Sequence, residues 1–269
     1  MVRISFTVNP NRTIEEIRSY KSLLVDGVYQ GVEIFFPYNK TKEEQQIYLK
    51  GIKEYLEYTN ELVCHLPYGG VNNLATNVLL DQTMMRIKDA IDFSSELNIK
   101  LLTLHPGHLD DTLEYLDAFN LMCKNIKELC QYARKYDMII MLENLVGSGE
   151  FMKTYQEFHH MKEVINEPNL KMIFDVAHYH SCQINEPKDI KEFIYQVKDD
   201  LLHLHVSDND GTRDQHAKIG TGTIPYQLFF DTLKEVGYDG LCSSEVLFNT
   251  SEDLKETAKD INKYLEKSK

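Results

Sequence analysis

Eight short apolar runs alternate with eight stretches of helical periodicity along the whole 269-residue chain. Near-continuous apolar strands of this kind are typical of a parallel sheet whose outer face is covered by helices. Eight strand–helix units close most economically into a (β/α)8 barrel, and no change in composition marks a second domain. We therefore expect an α/β fold, a (β/α)8 TIM barrel, that forms a single domain over residues 1–269.

The predicted strands are short and rich in apolar residues. They cover residues 3–8, 31–36, 61–65, 100–105, 138–143, 171–175, 201–205 and 240–245. Helical patterns cover residues 13–24, 42–59, 81–97, 112–136, 154–165, 188–197, 226–236 and 251–265. Thr13 with Glu16 resembles a capping box at the first helix. An open, doubly wound sheet is the competing fold, but its glycine-rich phosphate turn is missing from residues 8–13.

Each predicted strand from the third to the eighth ends in a residue type that binds metal ions. The six residues are His65, His105, Glu143, Asp175, His205 and Glu245. One polar residue at a strand end is usually a cap or a hydrogen-bonding group. Six in succession, drawn only from His, Asp and Glu, are improbable by chance. Strand ends in a barrel converge on one cavity, so we expect a divalent-metal site there.

Two loops add further candidates for ligands. His178 begins the loop after the sixth strand, and the long loop after the seventh strand contains Asp214 and His216. Alternate residues of an extended segment share a face, so Asp214 and His216 can point the same way. Gly220 and Gly222 permit a tight turn that could fold this loop over the barrel mouth. A solvated acidic surface loop is the alternative interpretation, although loops on this face of a barrel usually carry function.

The remaining histidines and the cysteines are interpreted as structural. His159 and His160 are expected on a helix surface, and His203 shares the inward face of His205 as a satisfied core residue. The five cysteines are an odd number without a CxxC pair, which is typical of buried thiols in a reducing compartment.

Charge and hydropathy exclude some classes of function. The formal net charge of −13 disfavours nucleic-acid binding, because a uniformly acidic surface repels phosphate groups. No apolar run approaches the roughly 20 residues that cross a bilayer, and the N-terminus lacks the layout of a signal peptide. We expect a cytoplasmic protein that does not bind membranes.

Seven segments resemble the xylose isomerase-like TIM-barrel superfamily, which includes sugar isomerases and epimerases and the endonuclease IV-type apurinic endonucleases. The segments are VCHLPY (63–68), LTLHPGH (102–108), MLENL (141–145), IFDVAH (173–178), HVSDNDGTRDQH (205–216), IGTGTI (219–224) and SSEV (243–246). Each motif alone is modest, but all of them occur in the order that the superfamily has.

Resemblance to the isomerases and epimerases implies one divalent metal ion held by Glu143, Asp175, His205 and Glu245. In that interpretation the two glutamates lie on opposite sides of the substrate. One removes a proton next to a carbonyl group and the other returns it, while the metal stabilises the enediolate. His178 would orient a substrate oxygen.

Resemblance to the endonucleases implies three zinc ions, which suit phosphodiester hydrolysis. The first ion would be held by His65, His105 and Glu143. The second would be held by Glu143, Asp175, His205 and Glu245, and the third by His178, Asp214 and His216. Tyr68 also falls where the nucleases carry a tyrosine.

Several departures from the nuclease pattern favour a sugar-directed enzyme. Gly69 and Gly70 replace a compact apolar stretch, and Val176–Ala177 replaces Thr-Cys before His178. The run after His205 resembles superfamily sugar isomerases, in which Asp-x-His and a Gly-x-Gly turn follow.

We therefore predict a divalent-metal-dependent isomerase or epimerase that acts on a sugar or sugar phosphate. A trinuclear zinc phosphodiesterase resembling endonuclease IV, which would bind nucleic acid, is the first alternative. A barrel that binds a metabolite without catalysis is the second. Zinc and manganese are the expected metals, with one to three ions in the site. The sequence indicates neither a phosphate-binding motif nor an oligomeric state.

Overall fold

The computed structural model describes residues 2–182, 184 and 187–268. Its centre is a closed barrel in which every strand is parallel to both neighbours and the strands follow chain order. The strands are β1 (Arg3–Val8), β2 (Gly31–Phe35), β3 (Leu62–His65), β4 (Leu101–Leu104), β5 (Ile139–Glu143), β6 (Leu170–Asp175), β7 (Leu201–Val206) and β8 (Leu241–Ser244). The predicted (β/α)8 TIM barrel is confirmed.

Ten α-helices among the described residues surround the barrel. They are α1 (Ile14–Ser19), α2 (Lys21–Val25), α3 (Lys42–Lys53), α4 (Leu80–Ser95), α5 (Tyr115–Ala133), α6 (Tyr155–Ile165), α7 (Val176–Ser181), α8 (Ile190–Val197), α9 (Tyr226–Glu235) and α10 (Ser251–Lys267). Capping boxes begin four of them, because Thr13, Thr41, Thr154 and Thr250 each pair with an acid three residues later. The capping box predicted at Thr13 is confirmed.

Three details differ from the sequence-based expectation. The first predicted helix is divided at Tyr20 into α1 and α2, and α7 was not predicted at all. Helix α7 has only six residues, which are too few to show a helical period in the sequence. The Asp175 side chain is its N-cap. His105 and Glu245 each lie one residue beyond their strands, where the chain turns into the loop.

Alternation along the strands divides the side chains into two environments. Ile140 and Leu142 of β5 pack outward in the main core with the helices. Met141 points inward and joins a small cluster with Val63, Ile173 and Leu241. The next inward residue of β5 is Glu143, which lies nearer the C-terminal ends of the strands. An apolar layer therefore supports a polar layer inside the barrel.

The described residues contain no helix whose length and hydropathy would let it cross a bilayer. The predicted buried state of the five cysteines is confirmed, and all five are free thiols. His159 and His160 are exposed on α6, as predicted.

Candidate metal centre

A cavity of about 420 Å³ opens at the C-terminal end of the barrel. Seven of the nine predicted ligands line it, namely His65, His105, Glu143, His178, Asp214, His216 and Glu245. The other two, Asp175 and His205, lie beneath its floor and are 1% and 0% exposed. The structure therefore brings all nine side chains to one place, contributed by β3, β5, β6 and β7, by helix α7 and by the loops after β4, β7 and β8. His178 was expected in a loop after the sixth strand, but it lies on α7, which follows Asp175 directly.

The central cluster consists of Glu143, Asp175, His205 and Glu245, whose ligand atoms all lie within 4.8 Å of one another. Nδ1 of His205 is 3.1 Å from Glu143 Oε1, 3.5 Å from Glu245 Oε1 and 3.9 Å from Asp175 Oδ2. Asp175 and His205 are neighbours because they are paired in register between β6 and β7. Three carboxylates and one imidazole form a donor set that suits manganese or zinc.

A second cluster shares Glu143 with the central one. Glu143 Oε2 is 3.1 Å from Nε2 of His105 and 3.5 Å from Nε2 of His65. The ligand atoms of these three residues also lie within 4.8 Å of one another. Glu143 is therefore placed between the two histidines on one side and His205 on the other.

A third cluster connects helix α7 with the loop after β7. Asp214 Oδ2 is 2.9 Å from Nε2 of His216 and 3.6 Å from Nε2 of His178. Both histidines thus turn the same ring nitrogen toward one carboxylate oxygen. The predicted ligand groups from the sequence are all adjacent in space, although whether they bind one ion or several remains a prediction.

Three of the histidines use ring nitrogen Nδ1 to bind a backbone carbonyl group, and Nδ1 of His178 also lies 3.2 Å from Glu143 Oε1. The contacts, at 2.9 to 3.0 Å, join Nδ1 of His65 to Leu66, of His178 to Asn144 and of His216 to Glu245. A proton on Nδ1 is needed to donate these bonds, so in the neutral imidazole it is Nε2 that carries the lone pair. Metal-binding histidines are typically held in this way.

Several buried carboxylate oxygens also have the environment expected of ligands to a cation. Among the described residues, Glu143 Oε2, Asp175 Oδ2 and Asp214 Oδ1 are buried and have no hydrogen-bond partner in the protein. An unpaired buried charge is costly unless it is neutralised or binds a metal ion. All three atoms belong to residues of the clusters described above, and this donor set fits a divalent metal ion.

Burial and the neighbouring carboxylates shift the pKa values of several candidate ligands. Burial raises the pKa of Asp175 to about 6, with help from Glu143 and Glu245. Burial opposes protonation of His205, but Glu245, Glu33 and Glu143 outweigh it and raise its pKa well above the ordinary value. The hydrogen bond to Asp214 raises the pKa of His216 to about 9. Without a metal, this centre therefore holds protons at neutral pH.

Asp208 stabilises the loop after β7 by hydrogen bonds to its backbone. Its carboxylate accepts hydrogen bonds from the backbone N–H groups of Asn209 and Gly220, at 2.9 and 2.8 Å. His216 has a left-handed backbone with φ of 47°, a conformation that a non-glycine residue adopts at some cost. Asp214 and His216 of this loop line the cavity, and the loop backbone is hydrogen-bonded to Asp208 instead of being fully solvated. Asp208 supports the loop from outside the metal clusters.

Sequence reasoning missed one residue of the site, Glu33 on β2. This carboxylate is fully buried and accepts hydrogen bonds from His203 and His205 at 2.9 and 2.8 Å. The signal was a lone acid within the apolar strand GVEIF. His203 is buried, as predicted, but it is not fully satisfied, because only Nε2 is hydrogen-bonded and Nδ1 has no hydrogen-bond partner in the described part of the protein. It also belongs to the network beneath the candidate metal centre.

With the barrel and the site described, the chain can be compared with known protein families. The family model described as xylose isomerase-like TIM barrel matches residues 27–267. The chain belongs to this family.

The relatives include an uncharacterized protein, a sugar-derivative epimerase and a probable endonuclease. The uncharacterized protein MJ1311 of Methanocaldococcus jannaschii is 30% identical over 207 residues, which cover 73% of this chain and 69% of that protein. Fructoselysine 3-epimerase of Escherichia coli O157:H7 is 24% identical over 229 residues, or 81% of each chain. More distantly, a probable endonuclease 4 of Mycobacterium leprae is 24% identical over 59% of this chain and 62% of its own length.

Solved structures confirm the fold over the full length. The crystal structure of a D-tagatose 3-epimerase-like protein superimposes with a TM-score of 0.78 and 23% sequence identity. It covers 99% of this chain and 98% of that chain. At this level of identity the similarity defines the fold, and the activity must be argued from the site.

Proposed function

We propose that this protein is a divalent-metal-dependent epimerase or isomerase of a sugar or a sugar derivative. The observation that carries the proposal is the central cluster of Glu143, Asp175, His205 and Glu245 at the base of the cavity. Two of its members are glutamates that also line the cavity, where they can reach a bound substrate. The epimerase named among the relatives, which aligns over 81% of this chain, supports the same reaction class.

Glu143 and Glu245 are proposed as the acid–base pair. They come from the ends of β5 and β8, and His205 Nδ1 lies between them at 3.1 and 3.5 Å. One carboxylate removes the proton from the carbon next to the substrate carbonyl, and the other returns a proton to it. A bound divalent ion would supply positive charge that polarises the carbonyl group and stabilises the charge that develops on its oxygen.

The other groups bind and orient the substrate. His178, with Nδ1 held by the Asn144 carbonyl group, can direct Nε2 at a substrate oxygen. Phe35 stacks on His65 with ring centroids 4.8 Å apart, and Tyr68 tilts against both rings. These aromatic side chains line the cavity together with Phe248. Such a wall suits the apolar face of a sugar ring and excludes water from the reacting carbon.

Deuterium exchange tests the proton transfer directly. The protein is incubated in D2O with Mn²⁺ or Zn²⁺ and with D-tagatose, D-psicose, D-fructose, L-ribulose or fructoselysine, sugars named for its relatives. Proton NMR then records deuterium entry at the carbon beside the carbonyl group. We expect entry for at least one sugar, and a loss of about 100- to 10,000-fold in Glu143→Gln and in Glu245→Gln.

Glu163→Gln, an acid-to-amide change on the exposed surface of α6, is the matched control and should exchange at the wild-type rate. Full turnover by both active-site variants would show that the two glutamates do not transfer protons. Exchange into none of the sugars, in protein shown to contain metal, would contradict the sugar-directed reaction.

A second candidate function, a multinuclear zinc phosphodiesterase, is favoured by one specific observation. The cluster of His178, Asp214 and His216 and the cluster of His65, His105 and Glu143 flank the central one, so nine donors are adjacent. A mononuclear centre needs only four of them. Several zinc ions together would suit hydrolysis of a phosphate ester.

Metal analysis and a cleavage assay distinguish the two functions. Protein purified without chelators is analysed for metal content per chain, and it is then incubated with a duplex that contains an abasic site at low salt. The epimerase proposal predicts an intact duplex. Three zinc ions per chain together with strand cleavage, abolished in Asp214→Asn, would favour the phosphodiesterase instead.

A further inference from the structure

Glu33 is a buried acid that reaches across the inside of the barrel. It lies on β2 and is 0% exposed, yet its carboxylate contacts residues of β4 and β7. Oε1 accepts a hydrogen bond from Thr103 at 2.9 Å. Oε2 accepts from Nε2 of His205 at 2.8 Å and from Nε2 of His203 at 2.9 Å. Glu33 does not line the cavity, so it cannot touch a substrate there.

Burying a carboxylate inside a barrel is unfavourable unless it is fully hydrogen-bonded. The interior layer below is apolar, formed by Val63, Met141, Ile173 and Leu241, and an aliphatic residue at position 33 would extend that layer. The fold alone therefore gives no reason for an acid at this position. The hydrogen-bond partners of Glu33 explain why an acid is present. One of them is His205, the only imidazole of the central cluster.

The orientation of His205 depends on which of its nitrogens carries the proton. Nε2 is bound to Glu33, whereas Nδ1 faces the carboxylates of Glu143, Asp175 and Glu245. In a neutral imidazole one nitrogen donates and the other carries the lone pair. A proton held on Nε2 by Glu33 leaves the lone pair of Nδ1 free for a metal ion.

We infer that Glu33 is a positioning residue that fixes the rotamer and the tautomer of His205, and so sets the metal affinity of the central cluster. This inference rests on the metal dependence in the proposed function. Thr103 and His203 hold Glu33 in turn, and His203 is itself 3.0 Å from Ser243 Oγ. Carboxylates that orient a metal-binding histidine in this way also raise its basicity.

The same three side chains, Glu33, His203 and His205, could in principle hold a metal ion themselves, since their ligand atoms lie within 4.8 Å. The contacts favour hydrogen bonds instead. Both nitrogen–oxygen distances are in the range of direct N–H···O bonds. All three residues are 0% exposed.

Metal affinity is the measurement that tests the inference. Zn²⁺ and Mn²⁺ are titrated into chelator-treated protein against a chromophoric chelator, for the wild type, Glu33→Gln and Glu33→Leu. Loss of a side chain that hydrogen-bonds to a metal-binding histidine typically weakens metal binding about 10- to 100-fold. We expect a larger loss of affinity in Glu33→Leu than in Glu33→Gln. Glu167→Gln is the matched control, because Glu167 is a buried acid paired with Arg134 outside the centre, and it should bind metal as the wild type does.

A spectroscopic measurement separates positioning from general loss of structure. In the Zn²⁺-loaded protein labelled with ¹⁵N-histidine, long-range proton–nitrogen correlations should show His205 protonated on Nε2. The Leu variant should lose this signature, or show a mixture of tautomers. Thr103→Val removes one bond to Glu33 with little change in shape and should weaken metal binding only a few fold, so the inference can be tested even if both Glu33 variants fail to fold.

Each result has a definite meaning. Wild-type affinity and an unchanged His205 tautomer in Glu33→Gln and Glu33→Leu would overturn the positioning role while leaving the proposed function intact. If Glu33 variants do not fold, wild-type affinity in Thr103→Val would overturn it. A wild-type protein that binds neither ion would overturn both the metal dependence and this inference.

Discussion

Gly222 lies directly against Asp208, so that a Cβ on Gly222 would overlap with Asp208 Oδ1 and with the adjacent carbonyl group of Asn209. Asp208 in turn holds the backbone of Gly220 and pairs with Ala217 through two backbone hydrogen bonds of 2.9 Å. The loop that carries Asp214 and His216 therefore packs against the Asp208 carboxylate. There is no space beside this carboxylate for a side chain at position 222.

Gly222→Ala is expected to lower the free energy of unfolding by about 1 to 3 kcal/mol, since the backbone must move away from Asp208. The same movement should displace Asp214 and His216 and weaken binding of Zn²⁺. Chemical denaturation and metal titration measure the two effects.

Gly149→Ala is the control for this substitution. A Cβ there would meet only the Leu109 carbonyl group, at an ordinary contact distance of 3.4 Å. Its unfolding free energy should stay within about 0.5 kcal/mol of the wild type. Equal stability and metal affinity of Gly222→Ala and Gly149→Ala would contradict the close packing of the loop.

Metal affinity should depend on pH through the protons that the ligands carry. The pKa of Asp175 is raised to about 6 and that of His216 to about 9 in the protein without metal. A ligand below its pKa is protonated and must lose the proton before it binds an ion. The affinity for Mn²⁺ should therefore rise between pH 6 and pH 8.5, and binding should release protons.

Titration calorimetry in two buffers of different ionisation enthalpy measures the number of protons released. We expect release that is larger at pH 6 than at pH 8.5, because more of the ligands hold protons at the lower pH. Affinity that falls with rising pH, or binding without proton release, would contradict the role of these residues as ligands.

The capping box at α6 offers a test of local stability away from the centre. Thr154 accepts a hydrogen bond from the N–H group of Glu157, and the Glu157 side chain accepts one from the N–H group of Thr154. Thr154→Ala should cost about 1 kcal/mol of unfolding free energy, whereas Thr154→Ser keeps the cap and should cost little. Denaturant unfolding curves compare the two, and equal losses would mean that the cap hydrogen bond does not stabilise the helix.

The strands and the convergence of the candidate ligands at the strand ends could be predicted from the sequence because each depends on local pattern. An apolar run that stops at His65 or Glu143 is visible in a few residues, and the barrel then brings such ends together. Glu33 could not be assigned a role in this way. Its partners His203 and His205 are 170 and 172 residues away, and only the closed barrel makes them neighbours.

Helix α7 was missed for a related reason. Six residues are too few to show a helical period, and the first turn depends on the carboxylate of Asp175, which the sequence pattern assigned to the metal alone. The divided first helix likewise depends on Tyr20, which is buried in the core. A local side-chain cap accompanies the first feature and burial of Tyr20 the second, and the spacing of apolar residues displays neither.

The two carboxylate oxygens of Asp175 have different surroundings, and this difference gives the last prediction. Oδ1 accepts a hydrogen bond from the N–H group of His178 at 2.6 Å and begins α7, whereas Oδ2 faces the central cluster without a hydrogen-bond partner in the protein. Asn caps helices as well as Asp does. Asp175→Asn should therefore keep the stability of the chelator-treated protein within about 1 kcal/mol. It should weaken Zn²⁺ binding at least as much as the loss of a side chain that hydrogen-bonds to a metal ligand, which typically costs about 10- to 100-fold. Asp175→Ala should lose both the cap, at about 1 kcal/mol, and the metal affinity. Unfolding curves and metal titrations on the two variants distinguish these effects, and wild-type Zn²⁺ affinity in Asp175→Asn would show that Asp175 is a helix cap and not a ligand.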